Sequence, residues 1–210
     1  MSVSYNSSIV TNGLVLGLDA GNPRSYPGTG TVWNNAVTLG NNTTLVNGPT
    51  YSSNNGGYFS FDGVDDYTTI AIPSTTGTIS FWWYYNADTI QKLIMGNSSS
   101  MIYCGGGAGA GHWFNQTGDY SFVFRWTNAS QWLHMCAVYE STTTNSFYIN
   151  GNLAYSSNTY SITKGTTYNV AGNYYSPQNC RFGVIQVYNI ALSASQITQN
   201  FNAYRRRYGI

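Results

Sequence analysis

The groups that could do chemistry in this chain are few and scattered. Seven carboxylates, two histidines and three cysteines stand among 210 residues, and Glu140 is the single glutamate. Hydrolysis of a glycoside with retention needs two carboxylates about 5–5.5 Å apart. Glu140 has no acidic neighbour in sequence, since Ser141, Thr142, Thr143 and Thr144 follow it. Asp65 and Asp66 are adjacent, and neighbouring side chains of a strand leave on opposite faces, so no acid/base pair is expected there. No G-x-S-x-G elbow presents a serine nucleophile. No catalytic residue is therefore assigned, and the chain reads as a non-enzyme.

Binding chemistry is easier to place. His112 ends the run Gly105–Gly111 and precedes Trp113, where a loop histidine could hydrogen-bond a ligand. Trp113, Tyr174 and Tyr175 lie in polar or glycine-rich stretches, where exposed aromatics are less expected. With His112 and Asn115 they form the candidate carbohydrate-binding set, because sugar rings stack on aromatic faces and asparagine both donates and accepts. Protein–protein interfaces use the same aromatics, and that is the competing reading. The glycine run lacks the Gly-Lys-Ser/Thr ending of a phosphate cradle and reads as a surface or assembly loop. His134 reads as a buried histidine bonded to backbone. Cys104, Cys136 and Cys180 are an odd set without C-x-x-C spacing, so neither a disulfide framework nor a zinc site is expected. Asp62 and Asp66 are expected to bond turn backbone.

The elements that must position these groups are strands. Charged residues make up 7% of the chain, while Asn, Ser, Thr, Gly and Tyr exceed half of it. β-branched residues, aromatics and turn formers outnumber helix formers, as in an all-β domain. Expected strands include Gly13–Asp19, Thr44–Val46, Tyr58–Phe61, Tyr67–Ile72, Leu93–Met95, Tyr120–Trp126, Trp132–Tyr139 and Phe182–Tyr188. Thr78–Tyr85 carries aromatics on both alternating sets and should be central, covered on both faces. Asn150-Gly151 predicts a two-residue turn joining Phe147–Ile149 to Leu153–Tyr155. One helix is expected, opening on the capping box Ser193-Ala-Ser-Gln196 with Ile197, Phe201 and Tyr204 as its apolar stripe. Arg205, Arg206 and Arg207 would stand at its carbonyl end, and at least one should face outward as an assembly contact.

Four segments in order resemble one family. Phe61-Asp62-Gly63-Val64-Asp65-Asp66-Tyr67 is similar to the "FDGxDDYV" segment of the concanavalin A-like lectin/glucanase superfamily, in its laminin-G-like jelly-roll branch. Trp132–Val138 with Phe147–Gly151 resembles that branch's "WxHVAxV…LYVNG" hairpin, and Val187–Ser193 its closing "VRIYNRALS" strand. The opening Gly13–Pro23 with Tyr26-Pro27 is similar to single-domain members in virion proteins of tailed bacteriophages. The resemblance implies a two-sheet antiparallel jelly-roll sandwich with one short C-terminal helix, a single domain over residues 1–210. The superfamily's glucanases resemble one another in an E-x-D-x-E strand, which this chain lacks. Many relatives bind calcium with an aspartate just before the last strand. The matching Arg181-Phe182-Gly183-Val184 has no carboxylate, so no cofactor is expected and calcium is disfavoured.

A formal charge of +1 argues against a nucleic-acid partner. No window approaches 18 apolar residues, and Met1–Asn6 shows no signal-peptide pattern, so no membrane contact and synthesis in the host cytoplasm are expected. The reading that follows is a structural virion protein, a decoration or fibre/tail-associated protein, with other virion proteins as partners and homo-oligomerisation. A carbohydrate-binding module for cell-surface polysaccharide is the alternative, and a glycoside hydrolase is a distant third.

Overall fold

A computed structural model describes residues 8–37, 40–73, 76–86, 92–97, 100–104, 110–115, 119–125, 130–140, 144–157, 165–172 and 179–210; over 110–115 and 119–125 it describes backbone alone. The first strands are β1 (Leu14–Asp19), β2 (Val32–Trp33), β3 (Thr43–Thr44), β4 (Thr50–Ser52), β5 (Tyr58–Asp62) and β6 (Thr68–Ala71). The middle of the chain supplies β7 (Gly77–Tyr85), β8 (Lys92–Gly96), β9 (Ser100–Cys104), β10 (Ala110–Asn115) and β11 (Asp119–Arg125). β12 (Trp132–Tyr139), β13 (Asn145–Ile149), β14 (Asn152–Ser157), β15 (Thr167–Val170) and β16 (Asn179–Tyr188) precede the helix α1 (Ala194–Tyr204).

Two antiparallel sheets hold nearly all of these. The larger runs β14-β13-β12-β7-β16-β5-β4, with β1 paired to the far end of β16. The smaller runs β11-β10-β9-β8-β15-β6, and β2 and β3 form a separate ribbon. Between the sheets lies an aromatic core that includes Trp33, Phe59, Phe61, Phe81, Trp83, Tyr168 and Phe182. Alternation along β7 sends Ile79, Phe81 and Trp83 into it, while Ser80 and Trp82 occupy the outer face. Both sets are buried, as the doubled aromatic pattern predicts.

Helix α1 supplies the outer cover. Ser193 accepts from the Gln196 amide at 3.4 Å, and the Gln196 side chain accepts from the Ser193 amide at 2.8 Å, closing the expected capping box. Ile197 is fully buried over Cys136, Val138 and Tyr188, and Phe201 stacks on Trp82 with ring centroids 5.8 Å apart. The β13–β14 hairpin turns at Asn150 (φ 49°) and Gly151 (φ 78°), the left-handed pair that a two-residue primed turn requires.

The sheet holds more strand than the sequence pattern indicates. His112 and Trp113 stand in β10, paired on both sides with β9 and β11, not in a glycine loop. Glycine and alanine have low strand propensity, but pairing outweighs it, with β11 at Ala110 and on both sides at Gly111. Short β15 lies outside the expected strands, and Tyr168 and Val170 alternate inward from it and are fully buried.

Candidate functional site

A cleft of about 600 Å³ opens where β6 and β15 meet the chain around the β2–β3 ribbon. Asparagine builds its rim. Asn35 Oδ1 accepts from the amides of Gly17 (2.9 Å) and Val37 (3.1 Å), and its Nδ2 donates to the Val15 carbonyl at 3.0 Å. Asn42 Oδ1 in turn accepts from the Asn35 amide at 3.0 Å, which fixes the 40–43 segment against β1. Thr43 Oγ1 donates to the Thr69 carbonyl at 2.6 Å and ties the ribbon to β6. Asn41, Asn42, Thr43, Thr69, Thr167 and Asn189 then line the cleft over Ile70, Ile72 and Pro73. Among the described residues, no ionisable side chain lines it. Neutral donors and acceptors around a narrow apolar strip suit a ligand that carries hydroxyls and C–H faces together.

The carboxylates assemble elsewhere. Asp62, Asp65 and Asp66 each offer an oxygen within 4.8 Å of the others. This corrects the expected divergence of Asp65 and Asp66. They stand in a turn between β5 and β6, where strand alternation does not apply. The turn backbone engages them as expected for aspartate: Asp62 Oδ1 accepts from Val64 (2.8 Å) and Asp65 (3.4 Å), and Asp66 Oδ2 accepts from Asp62 (3.1 Å). Burial pushes the Asp66 carboxyl above its ordinary range. Glu140 is exposed at the end of β12, and its amide bonds Thr144.

His134 is buried, but its partner is a side chain: Nε2 meets Ser80 Oγ at 2.8 Å. Its Nδ1 has no partner, and desolvation pushes the imidazole down to about 3. A serine–histidine pair sealed under Trp82 and Phe201, with no carboxylate on Nδ1, lacks the geometry of a hydrolytic triad.

The three arginines do not act as one cluster. Arg207 turns inward, donating to Asp19 Oδ1 at 2.7 Å and to the carbonyls of Asn55 (3.1 Å) and Gly57 (2.9 Å). Arg205 and Arg206 are exposed, which leaves two outward-facing cations. The backbone beyond α1 turns between Tyr204 and Tyr208, so consecutive side chains take different directions.

Of the candidate sugar-contact residues, His112, Trp113 and Asn115 lie in β10, opposite Tyr103, Ile102 and Ser100 of β9. Tyr174 and Tyr175 lie outside the described residues. Sequence alone does not single out the cleft-lining asparagines and threonines, because the same residue types occur throughout the chain.

Comparison with known proteins gives a consistent picture. A family model described as the concanavalin A-like lectin/glucanases superfamily matches residues 53–198, more than half of the chain. No curated protein matches it in sequence. Among solved structures, the Trypanosoma rangeli sialidase in complex with sialic acid is similar at a TM-score of 0.74 and 13% identity, over 97% of this chain. This chain spans only 35% of the sialidase's length. The botulinum neurotoxin serotype D binding domain is similar at 0.69 and 12% identity, over 90% of this chain and 51% of that one. Domain 4 of AbnA, a GH43 extracellular arabinanase from Geobacillus stearothermophilus solved with arabinotriose, is similar at 0.70 and 15% identity. There the match covers 89% of this chain and 97% of that one.

Proposed function

Since the chain belongs to the concanavalin A-like lectin/glucanases superfamily, we propose that it is a non-enzymatic, lectin-like recognition module of a tailed-bacteriophage virion. It holds a neutral saccharide in the cleft between the β2–β3 ribbon and the β6–β15 edge. The observation that carries this reading is the cleft itself, where six neutral polar side chains surround an apolar strip and, among the described residues, no ionisable group stands. The similar domain 4 of AbnA was solved with a trisaccharide, and its match covers nearly its whole length, which supports a sugar as ligand. The virion setting rests on the resemblance of the opening and closing segments to virion proteins. A glycosidase is disfavoured because one oxygen each of Asp62 and Asp66 is taken by turn amides, and neither residue lines this cleft or the smaller one beside β1.

A structural decoration or fibre/tail-associated role within the virion is the second reading. It is favoured by the 7% charged fraction and by the outward-facing Arg205 and Arg206. In that role the module contacts other virion proteins and its own copies through wet, neutral interfaces.

A glycan-array screen of the purified protein, paired with light scattering, tests both readings. Neutral glycan signals should be lost in an Asn41→Ala/Thr167→Ala double variant that melts like the wild type. A stable oligomer giving no glycan signal would overturn the recognition reading in favour of assembly.

A further inference from the structure

We propose that Arg181 and its flanking tyrosines form a second binding site, for a carboxylate-bearing saccharide, on the open half of the larger sheet's outer face. The inference rests on the lectin-like reading only in taking a sugar as ligand. The neutral cleft plays no part in it.

Thr50, Ser60, Arg181, Tyr84 and Trp132 pair successively across β4, β5, β16, β7 and β12, so they form one cross-strand row. Four strand spacings make that row roughly 19 Å long. At its inner end Tyr208 covers Trp132, which is 5% exposed. Tyr84, Arg181 and Ser60 are partly open, and Thr50 is exposed. The helix and its tail therefore shield one half of this face and leave the other to solvent.

Arg181 is held in an unusual way. Its guanidinium carbon lies 4.5 Å from the ring centroid of Tyr84 and 5.1 Å from that of Tyr58, both within cation–π range. Among the described residues it makes no ion pair and no side-chain hydrogen bond. The rings thus fix the group without using its donors. Guanidinium N–H groups lie in one plane as a fork that matches a carboxylate bidentately. The acidic residue two positions beyond Ser60 on β5, Asp62, is occupied by the amides of Val64 and Asp65.

The surroundings select a sugar over a bare anion. The partly open Tyr84 ring offers a face for C–H stacking beside the charge. Ser60 and Thr50 add hydroxyls along the row. Beyond Tyr84, Asn86 donates to Asn179 Oδ1 at 2.6 Å, adding amide groups at the same end of the sheet.

Calorimetric titration with trigalacturonic acid, its methyl-esterified form and inorganic phosphate tests the site. The acid should bind the wild type, with ester and phosphate weaker by about tenfold or more. Arg181→Gln should weaken acid binding roughly ten- to a hundredfold, the share expected of charge-assisted hydrogen bonds. Arg181→Lys should recover part of this, and Tyr84→Ala should also weaken binding. Equal affinity for acid and ester overturns the carboxylate assignment, and phosphate binding as tightly as the acid overturns the saccharide. Failure of the acid to bind, or unchanged affinity in folded Arg181→Gln, overturns the site. Acid binding lost in Asn41→Ala/Thr167→Ala but kept in Arg181→Gln also overturns it, while leaving the lectin-like reading intact.

Discussion

Between pH 7 and pH 4 the unfolded chain takes up a proton at His134, but the folded chain does not. Burial without a partner on Nδ1 pushes this imidazole from its ordinary value near 6.5 down to about 3. The unfolded state therefore binds more protons across that window, and stability must fall as the pH falls through it. The loss from this one group amounts to about 3 kcal/mol by pH 4. Asp66 works the other way. Its carboxyl is raised by burial, so its contribution favours the fold in acid and is lost as pH rises through its folded value. Thermal melts from pH 7 to pH 4 should show Tm falling steeply in the wild type and less steeply in His134→Gln, which can still meet Ser80. Parallel slopes would place the acid sensitivity elsewhere.

Helix α1 and the six residues after it act as a lid on the outer face of the larger sheet. Phe201 and Tyr208 stack on Trp82, and Tyr208 also meets Trp132 with ring centroids 4.4 Å apart. Arg207 latches the lid to the opposite end of the chain through Asp19, Asn55 and Gly57. The latch needs bare backbone. A Cβ on Gly21 would lie 1.5 Å from the Gly56 carbonyl oxygen and 2.7 Å from the Arg207 guanidinium. Arg207→Gln should cost about 2–3 kcal/mol, because it removes three charge-assisted hydrogen bonds from a largely buried group. For a domain of this size that is a Tm fall of about 4–12 °C. Arg205→Gln and Arg206→Gln should each change stability by no more than about 0.5 kcal/mol. Equal effects at all three positions in differential scanning calorimetry would mean that Arg207 is not the latch.

At the scale of the whole molecule, stability comes from two aromatic layers, one between the sheets and one under the helix. Neither requires an ion. Of the three clustered aspartates, Asp62 and Asp66 already accept turn amides, and a cation would have to displace or share those bonds. EDTA should therefore move Tm by less than a degree or two. A calcium site filled at 100 times its Kd would contribute about 2.7 kcal/mol. A Tm drop restored by calcium but not by magnesium would show that the cluster is a metal site after all.

What the amino-acid sequence determined by itself is whatever depends on near neighbours. The Asn150-Gly151 turn, the Ser193–Gln196 capping box and the two-sided burial of β7 were all legible. Each follows from backbone preferences or side-chain period within a few residues. The family resemblance was legible for a related reason, since its motifs are short and local. The tertiary structure alone decided the rest. The cleft draws on residues 40–43, 69–73, 167 and 189, which nothing local brings together. A turn gathered Asp62, Asp65 and Asp66 where alternation would have parted them. Pairing on both sides made a strand of His112 and Trp113 next to a glycine run. Arg207 differs from Arg205 and Arg206 because Asp19, 188 residues away, lies under it. Long-range closure of the sandwich sets the cleft and the Arg207 contact, while the aspartate turn and the pairing of β10 with β9 and β11 join nearby stretches that carry no periodic signal of one another.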